Sequence, residues 1–392
     1  MAEFDNGSLH IVSTKLHNLL NQVHAASSDD LSNKDVSAAL SLMKENLGEL
    51  ISEVSESQDY SSSLREGIIM EATEHISLYS NVLGTVIRSS TTRNPFELYF
   101  PFKEIAKAFF PDGHVYLILS SEWNYVPFTY PLTLDELPNF ILIGMPAPEA
   151  DNVLAFPLAG HELGHSIWKR RGLVSTFSAK AFELTRRRFD DAPELLQALY
   201  PGVSKEQFEN DMFSSRLKDS AISDIIALCL AQTEEVFCDL IGIGIFGISY
   251  LHAFRYLLAP SARGERSHVY PELLERAEIL DTYTAQLGMA PVNISKWFSK
   301  EDDISHPFYA VLVRLADGVR REMWETLKEA VRNVISEAHI PAIRENAIVA
   351  VRQRFAGTMP IESDTSLGEL ICGAWDTYMN DFGLSLGESK HS

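Results

Sequence analysis

Apolar residues recur at helical spacing over most of this chain. Near the start, Ile11, Leu16, Leu19, Leu20 and Val23 line one face of a predicted helix. Leu40, Leu42, Met43, Leu47, Leu50 and Ile51 line a second, which starts behind Ser-Asn-Lys-Asp at 32–35. A third helix is predicted from about Ser61 to Ile87. The breaks between them, Ser27–Asn33 and Glu56–Tyr60, are short and polar, which predicts an up-down bundle. The polar stretch Thr91–Asn94, followed by Pro95, marks its end. The polar ends Met1–Ser8 and Gly387–Ser392 are expected to fray.

The pattern then changes. Val115–Leu119, Tyr125–Thr129 and Phe140–Met145 are short β-prone runs punctuated by Pro127, Pro131, Pro138, Pro146 and Pro148, and they predict a small sheet. From about Asn152 the helical period returns, at Val203–Leu217, Asp219–Ile245, Pro271–Leu287, Phe308–Ala338 and Leu367–Asn380. The fold class expected is mainly α, with a minor β component (α+β).

Composition narrows the function classes. There are 33 Lys and Arg against 54 Asp and Glu, a net charge of −21. So acidic a surface repels phosphate backbones and anionic membranes, so neither nucleic acid nor a membrane is an expected partner. The longest apolar run, Leu240–Leu251, is far shorter than the roughly 20 residues a bilayer requires, and is read as a buried helix. The opening Met-Ala-Glu-Phe-Asp-Asn is acidic and polar, unlike a signal peptide. The three cysteines, Cys229, Cys238 and Cys372, form no Cys-x-x-Cys pair, which fits a reducing compartment. A cytoplasmic protein is expected.

Candidate chemistry begins at His161-Glu162-Leu-Gly-His165. Positions i and i+4 share one helix face, so two imidazoles can converge on one Zn²⁺, and Glu162, beside the first ligand, can reach the water. Leu158, Leu163 and Ile167 give this helix a buried side. Gly160 and Gly164 leave room for another helix, and Lys169-Arg-Arg171 before Gly172 is a helix ending. The third ligand is sought in Glu234-Glu235-Val-Phe-Cys238-Asp239, within a strongly apolar helix. Carboxylates facing a core are costly unless they bind metal or pair. Glu235 is the expected ligand, and Asp239, one turn later, is expected to accept the free N–H of a ligand histidine. Glu234 is the rival ligand, ranked below Glu235 because the residue four beyond it is Cys238 and not an acid. A Cys238 thiolate ligand is the other alternative, against a buried structural cysteine. Trp168 is read as core, Arg186-Arg187-Arg188 as a solvated helical face, and His10, His17, His24 and His75 as residues without ligand partners.

The pair His161-Glu162-x-x-His165 and Glu235-x-x-x-Asp239 resembles the gluzincin metallopeptidases, and within them looks closest to the HtpX-type and CAAX-prenyl-protease family, here without membrane spans. Cys238 stands where that family has Ala. Tyr270-Pro271-Glu-Leu-Leu-Glu-Arg276 matches the spacing of its later His-Pro…Arg element, with Tyr270 in place of His. The resemblance covers about residues 150–285. It implies a zincin-like metallopeptidase domain over 95–290, between an N-terminal helical bundle at 1–94 and a C-terminal helical region at 291–392. It implies a zinc ion on His161, His165 and Glu235, Glu162 as general base, and a protein or peptide substrate. Tyr270 and His268, ahead of His306, become the candidates for stabilising the oxyanion, and Arg276 is expected to pair with a buried carboxylate. It also implies that Phe140–Gly144 offers a strand edge to an extended peptide. Two alternatives stay open: a partner-binding helical protein with a structural or inactive zinc, and a latent regulatory or defence protease gated by the bundle, which would then be the site of a regulatory partner.

Overall fold

The bundle helices form where the apolar period places them. In this computed structural model α1 spans Ala2–Ser28, α2 Lys34–Glu56 and α3 Ser62–Thr91. The residues described are 2–28, 33–91, 96–111, 113–123, 128–129, 137, 139–149, 152–204, 207, 211–259, 264–357 and 364–381. Leu16 and Val23 of α1, Leu40 and Met43 of α2, and Val82 and Val86 of α3 share one core. Asn33 caps α2, its side chain accepting from the Asp35 N–H at 2.9 Å. Of the end expected to fray at Met1–Ser8, Met1 lies outside the described residues and α1 begins at Ala2. The end expected at 387–392 lies outside the described residues.

The next segment departs from expectation. Helix α4 (Phe96–Phe109) carries Pro101 in its interior. Phe102, Ala106 and Phe109 are buried along one side of it, a helical period masked by the proline. Strands β1 (Tyr116–Glu122), β2 (Phe128–Thr129) and β3 (Phe140–Pro146) form one sheet in the order β1-β3-β2. β1 runs parallel to β3, with Ile118 opposite Leu142, and β2 pairs antiparallel at Ile143 and Gly144. Most of β1 and all of β3 are buried, the habit of a parallel sheet covered on both faces. Only Phe128–Thr129 of the predicted strand at 125–129 is described; the rest lies outside the described residues. β3 is therefore the central strand, and its Ile143–Gly144 span is not the free edge expected for peptide binding.

The contacts divide the chain once, into Met1–Asn152 and Val153–Ser392. The boundaries expected near 94 and 290 are not where this division falls. Residues 92–95 lie outside the described set, and beyond them Ile118, Phe140 and Leu142 return to the core of α1–α3. Asp35 joins the two parts of this unit. Its buried carboxylate accepts from the Tyr99 hydroxyl at 2.5 Å, from Lys103 Nζ at 2.6 and 2.7 Å, and from the Leu117 N–H at 2.8 Å.

The second unit is built on one long helix. It contains α5 (Leu158–Arg170), α6 (Leu173–Asp191), α7 (Glu194–Leu199), α8 (Asp211–Phe246), α9 (Ile248–Leu258), α10 (Leu273–Gln286), α11 (Pro307–Glu322), α12 (Trp324–Glu337), α13 (Glu345–Phe355) and α14 (Leu367–Asp381). Helices α5, α6, α9, α10, α11, α12 and α14 all touch α8, so the helices after 290 belong to the same unit. α8 covers most of two predicted stretches, and the part before Asp211 is largely outside the described residues. The apolar run Leu240–Leu251 is buried but is two helices, not one. It breaks at Gly247, whose φ of 57° and ψ of −139° suit glycine alone. The stretch Phe308–Ala338 likewise breaks, at Met323. Among the described residues no helix is long and apolar enough to cross a membrane.

Candidate metal centre

The centre forms where α5 crosses α8 at backbone distance. Helix α5 ends on cations and on Gly172, which takes a φ of 62°. A Cβ on Gly164 would stand 2.7 Å from Cys238 Cα, and one on Gly160 would stand 3.2 Å from Gly242 Cα. Glycine at both positions lets the two helices meet. Trp168 locks the crossing as core, stacked on Phe177 at 5.0 Å and tilted against Phe237 at 5.3 Å. One turn apart on α5, His161 and His165 present their rings edge to face, centroids 5.0 Å apart, to the acidic face of α8.

Each ring is tied by one nitrogen. His161 Nδ1 bonds Asp239 Oδ1 at 2.8 Å, and His165 Nδ1 bonds Glu234 Oε1 at 2.8 Å. A carboxylate can only accept, so both Nδ1 atoms carry the proton and both Nε2 atoms are left to face elsewhere. Those two Nε2 atoms face the same side chain: His161 Nε2 is 3.4 Å from Glu235 Oε2, and His165 Nε2 is 3.7 Å from Glu235 Oε1. Ligands bound to one tetrahedral zinc at roughly 2.0–2.1 Å stand about 3.4 Å apart. The two histidine-to-Glu235 distances are close to that spacing, each to a different oxygen of the carboxylate. Glu234, the rival ligand, is engaged on His165 instead.

Asp239 is held from three sides. Besides His161, it accepts from Arg276 Nε at 2.9 Å and Nη2 at 2.8 Å, and from the Tyr250 hydroxyl at 2.6 Å. Arg276 Nη1 also reaches Glu235 Oε2 at 3.4 Å, so this arginine pairs with buried carboxylates as expected. Tyr250 was not expected. It sits on α9, beyond the Gly247 break, where no helical period links it to Asp239. Glu234 as a partner of His165 was also missed, although the acid doublet Glu234-Glu235 carried a signal for it.

Glu162, Glu235 and Asp239 are buried together, beside the buried guanidinium of Arg276 and the ring of His161. Burial alone would favour a neutral His161, yet Asp239 and Glu235 outweigh it and hold the imidazole up at about 10. Burial would push Asp239 up too, but Arg276 and then His161 hold it well below the usual carboxylate range. Glu235 behaves alike: burial opposes its charge, and His161, Arg276 and His165 together lower it. Glu162 goes the other way. Its burial outweighs the pull of His161 and His165 and raises it.

Cys238 lies nearby, its sulfur and one nitrogen of each ring all within 4.8 Å of one another. Burial pushes this thiol well up, and Glu235, Glu234, Asp239 and Glu162 push the same way. Cys238 and Glu235 are thus the two rival third donors beside the rings. Among the more distant candidates, Tyr270 is half exposed, and its hydroxyl is raised first by the charge of Glu235, then by burial, with Glu162 adding to it. It stands within electrostatic reach of the centre. The ring of His268 stacks on Tyr309 at 5.3 Å, and His306 packs on the same tyrosine at 5.2 Å.

Arg187 and Arg188 are not simply solvated, since both pair with Glu322 of α11. Compared with known proteins, the chain matches no family model, no curated protein and no solved structure.

Proposed function

We propose that this chain is a zinc-dependent metallopeptidase of gluzincin type, with a zincin-like catalytic unit and protein or peptide substrates. The observation that carries it is the convergence of two imidazole Nε2 atoms on one ionised carboxylate, at 3.4 and 3.7 Å, with Nδ1 of each ring already committed elsewhere. His161, His165 and Glu235 would hold the ion. Zinc so held supplies a Lewis acid for the scissile carbonyl and makes water a nucleophile near neutral pH. The carboxylate Asp239 stays out of the ligand set, because its lone pairs are occupied by Arg276, Tyr250 and His161. Three protein ligands leave a position for reaction, as a closed structural site does not.

The residues divide the remaining work. Glu162 takes a proton from the attacking water and delivers it to the leaving nitrogen. Its raised carboxyl lies closer to the operating pH than an exposed glutamate does, which favours both transfers. Tyr270, whose hydroxyl is raised by Glu235 and Glu162, would donate to charge developing on the carbonyl oxygen. Buried, unpaired cysteines at 229, 238 and 372 accord with a cytoplasmic setting.

The test is metal content together with peptide cleavage. Wild type and Glu162→Gln are each expected to carry about one zinc per chain. Cleavage of a mixed peptide library, followed by mass spectrometry, is expected to fall at least about a hundredfold in Glu162→Gln. A wild-type chain that neither carries nor takes up zinc, or a Glu162→Gln variant of full activity, overturns the proposal.

A further inference from the structure

The hydroxyl of Tyr250 occupies a place that no other side chain fills. It lies 2.6 Å from Asp239 Oδ1 and 3.4 Å from His161 Nδ1, at the one carboxylate oxygen that His161 uses. Asp239 Oδ1 accepts from His161, Tyr250 and Arg276 Nη2, and Oδ2 accepts from Arg276 Nε. The two arginine bonds reach Asp239 from α10, whereas the phenol comes from α9, on the other side of the Gly247 break. The phenol therefore supplies a second direction of restraint on a carboxylate that would otherwise turn about the guanidinium. Its ring is seated over α8 where Gly242 has no side chain. A Cβ there would come within 2.4 Å of Tyr250 Cε2 and 2.5 Å of Cδ2. The ring is fully buried, so the hydroxyl has no competing water, and Asp239, being ionised, can only accept from it.

We infer that Tyr250 is a positioning residue of the metal centre, acting through Asp239 to fix the ring of His161, and that Gly242 is the seat that admits it. The inference rests on the metal-centre reading given above. It makes the Tyr250 hydroxyl a determinant of zinc affinity although it touches neither zinc nor substrate. Groups that hold the free N–H of a ligand histidine typically change metal affinity by about 10–100-fold. The same restraint keeps Asp239 turned toward Arg276 and away from the ion.

The full-length protein tests this by competition for zinc with a chelator of known affinity. Tyr250→Phe keeps the ring and removes only the hydroxyl. Its zinc Kd is expected to rise about tenfold, and the ligand-field absorption of the Co²⁺-substituted protein is expected to change shape. A role confined to packing would lower the melting temperature of the metal-free protein and leave both metal readouts alone. Should Tyr250→Phe not fold, Gly242→Ala moves the ring without removing the hydroxyl and is expected to weaken zinc binding likewise. Wild-type zinc affinity in a folded Tyr250→Phe protein overturns the inference while leaving the metal centre standing. A wild-type chain that binds no zinc overturns both.

Discussion

The two histidines make the same bond in unlike surroundings. Each gives its Nδ1 proton to a carboxylate of α8 at 2.8 Å. On the His161 side the carboxylate is Asp239, whose side chain is 1% exposed and which also receives Arg276 and Tyr250. On the His165 side it is Glu234, whose side chain is 27% exposed. Identical local geometry thus carries different energies. A buried charge that loses its partner cannot be rescued by water, whereas an exposed one can. The first arm is a rigid anchor for the centre, and the second is an adjustable one.

The largest expected effect comes from breaking the buried arm. Asp239→Ala leaves the guanidinium of Arg276 buried, with Glu235 at 3.4 Å as its remaining ion-pair partner among the described residues. Removing one partner of a buried pair costs about 3–5 kcal/mol. Urea denaturation of the metal-free protein is expected to show a loss in that range, and the folded fraction is expected to lose tight zinc binding. A loss below about 1 kcal/mol, the size typical of an exposed pair, would erase the distinction between the arms.

A substitution that moves both arms together comes next. Gly164→Ala would gain about 1 kcal/mol of helix propensity. Against this, the new methyl stands 2.7 Å from the backbone Cα of Cys238, an atom that cannot turn aside. Overpacking of that kind costs about 1–3 kcal/mol, so the net sign is destabilising. Because α5 must lift off α8, zinc affinity is expected to fall in the same variant. A Gly164→Ala protein more stable than wild type, with undiminished zinc uptake, would show that the helices do not depend on this contact.

What the sequence made legible follows from how local each signal is. His161, Glu162 and His165 share one turn of helix, and Glu235 and Asp239 share another, so periodicity alone brings each set onto a face. Arg276 was visible only through the resemblance of the stretch from Tyr270-Pro271 to Arg276 to the later His-Pro…Arg element of the family. Tyr250 was not, because the chain reverses its helical phase at Gly247 and only tertiary packing returns the ring to Gly242. His268 looked equivalent to Tyr270 two residues away, yet its ring turns to Tyr309. Helix α4 was hidden by Pro101, whose cost is offset by burying Phe102, Ala106 and Phe109. The sheet was foreseen, but its union with α1–α3 depends on contacts such as Asp35 with the Leu117 N–H, far apart in sequence. Side-chain period says what is buried in an element, and not which other element buries it.

The smallest effect sharpens the comparison most. Glu234→Gln keeps the size of the side chain and an oxygen that can still accept from His165 Nδ1, but removes its charge. With the side chain partly in water and His165 its one hydrogen-bonding partner among the described residues, stability is expected to change by less than about 1 kcal/mol. The neutral amide is a weaker acceptor, so His165 is oriented less firmly and is a poorer donor to zinc. Zinc affinity is expected to fall by about tenfold, the lower end of what such partners contribute. Chelator competition and thermal melting on the same samples read the two quantities separately. If Glu234→Gln destabilised the metal-free protein as much as Asp239→Ala, the outer arm would be as rigid an anchor as the inner one. If it left zinc affinity untouched, His165 would need no carboxylate to hold its ring, and the bond to Glu234 would be a surface contact without consequence for the metal.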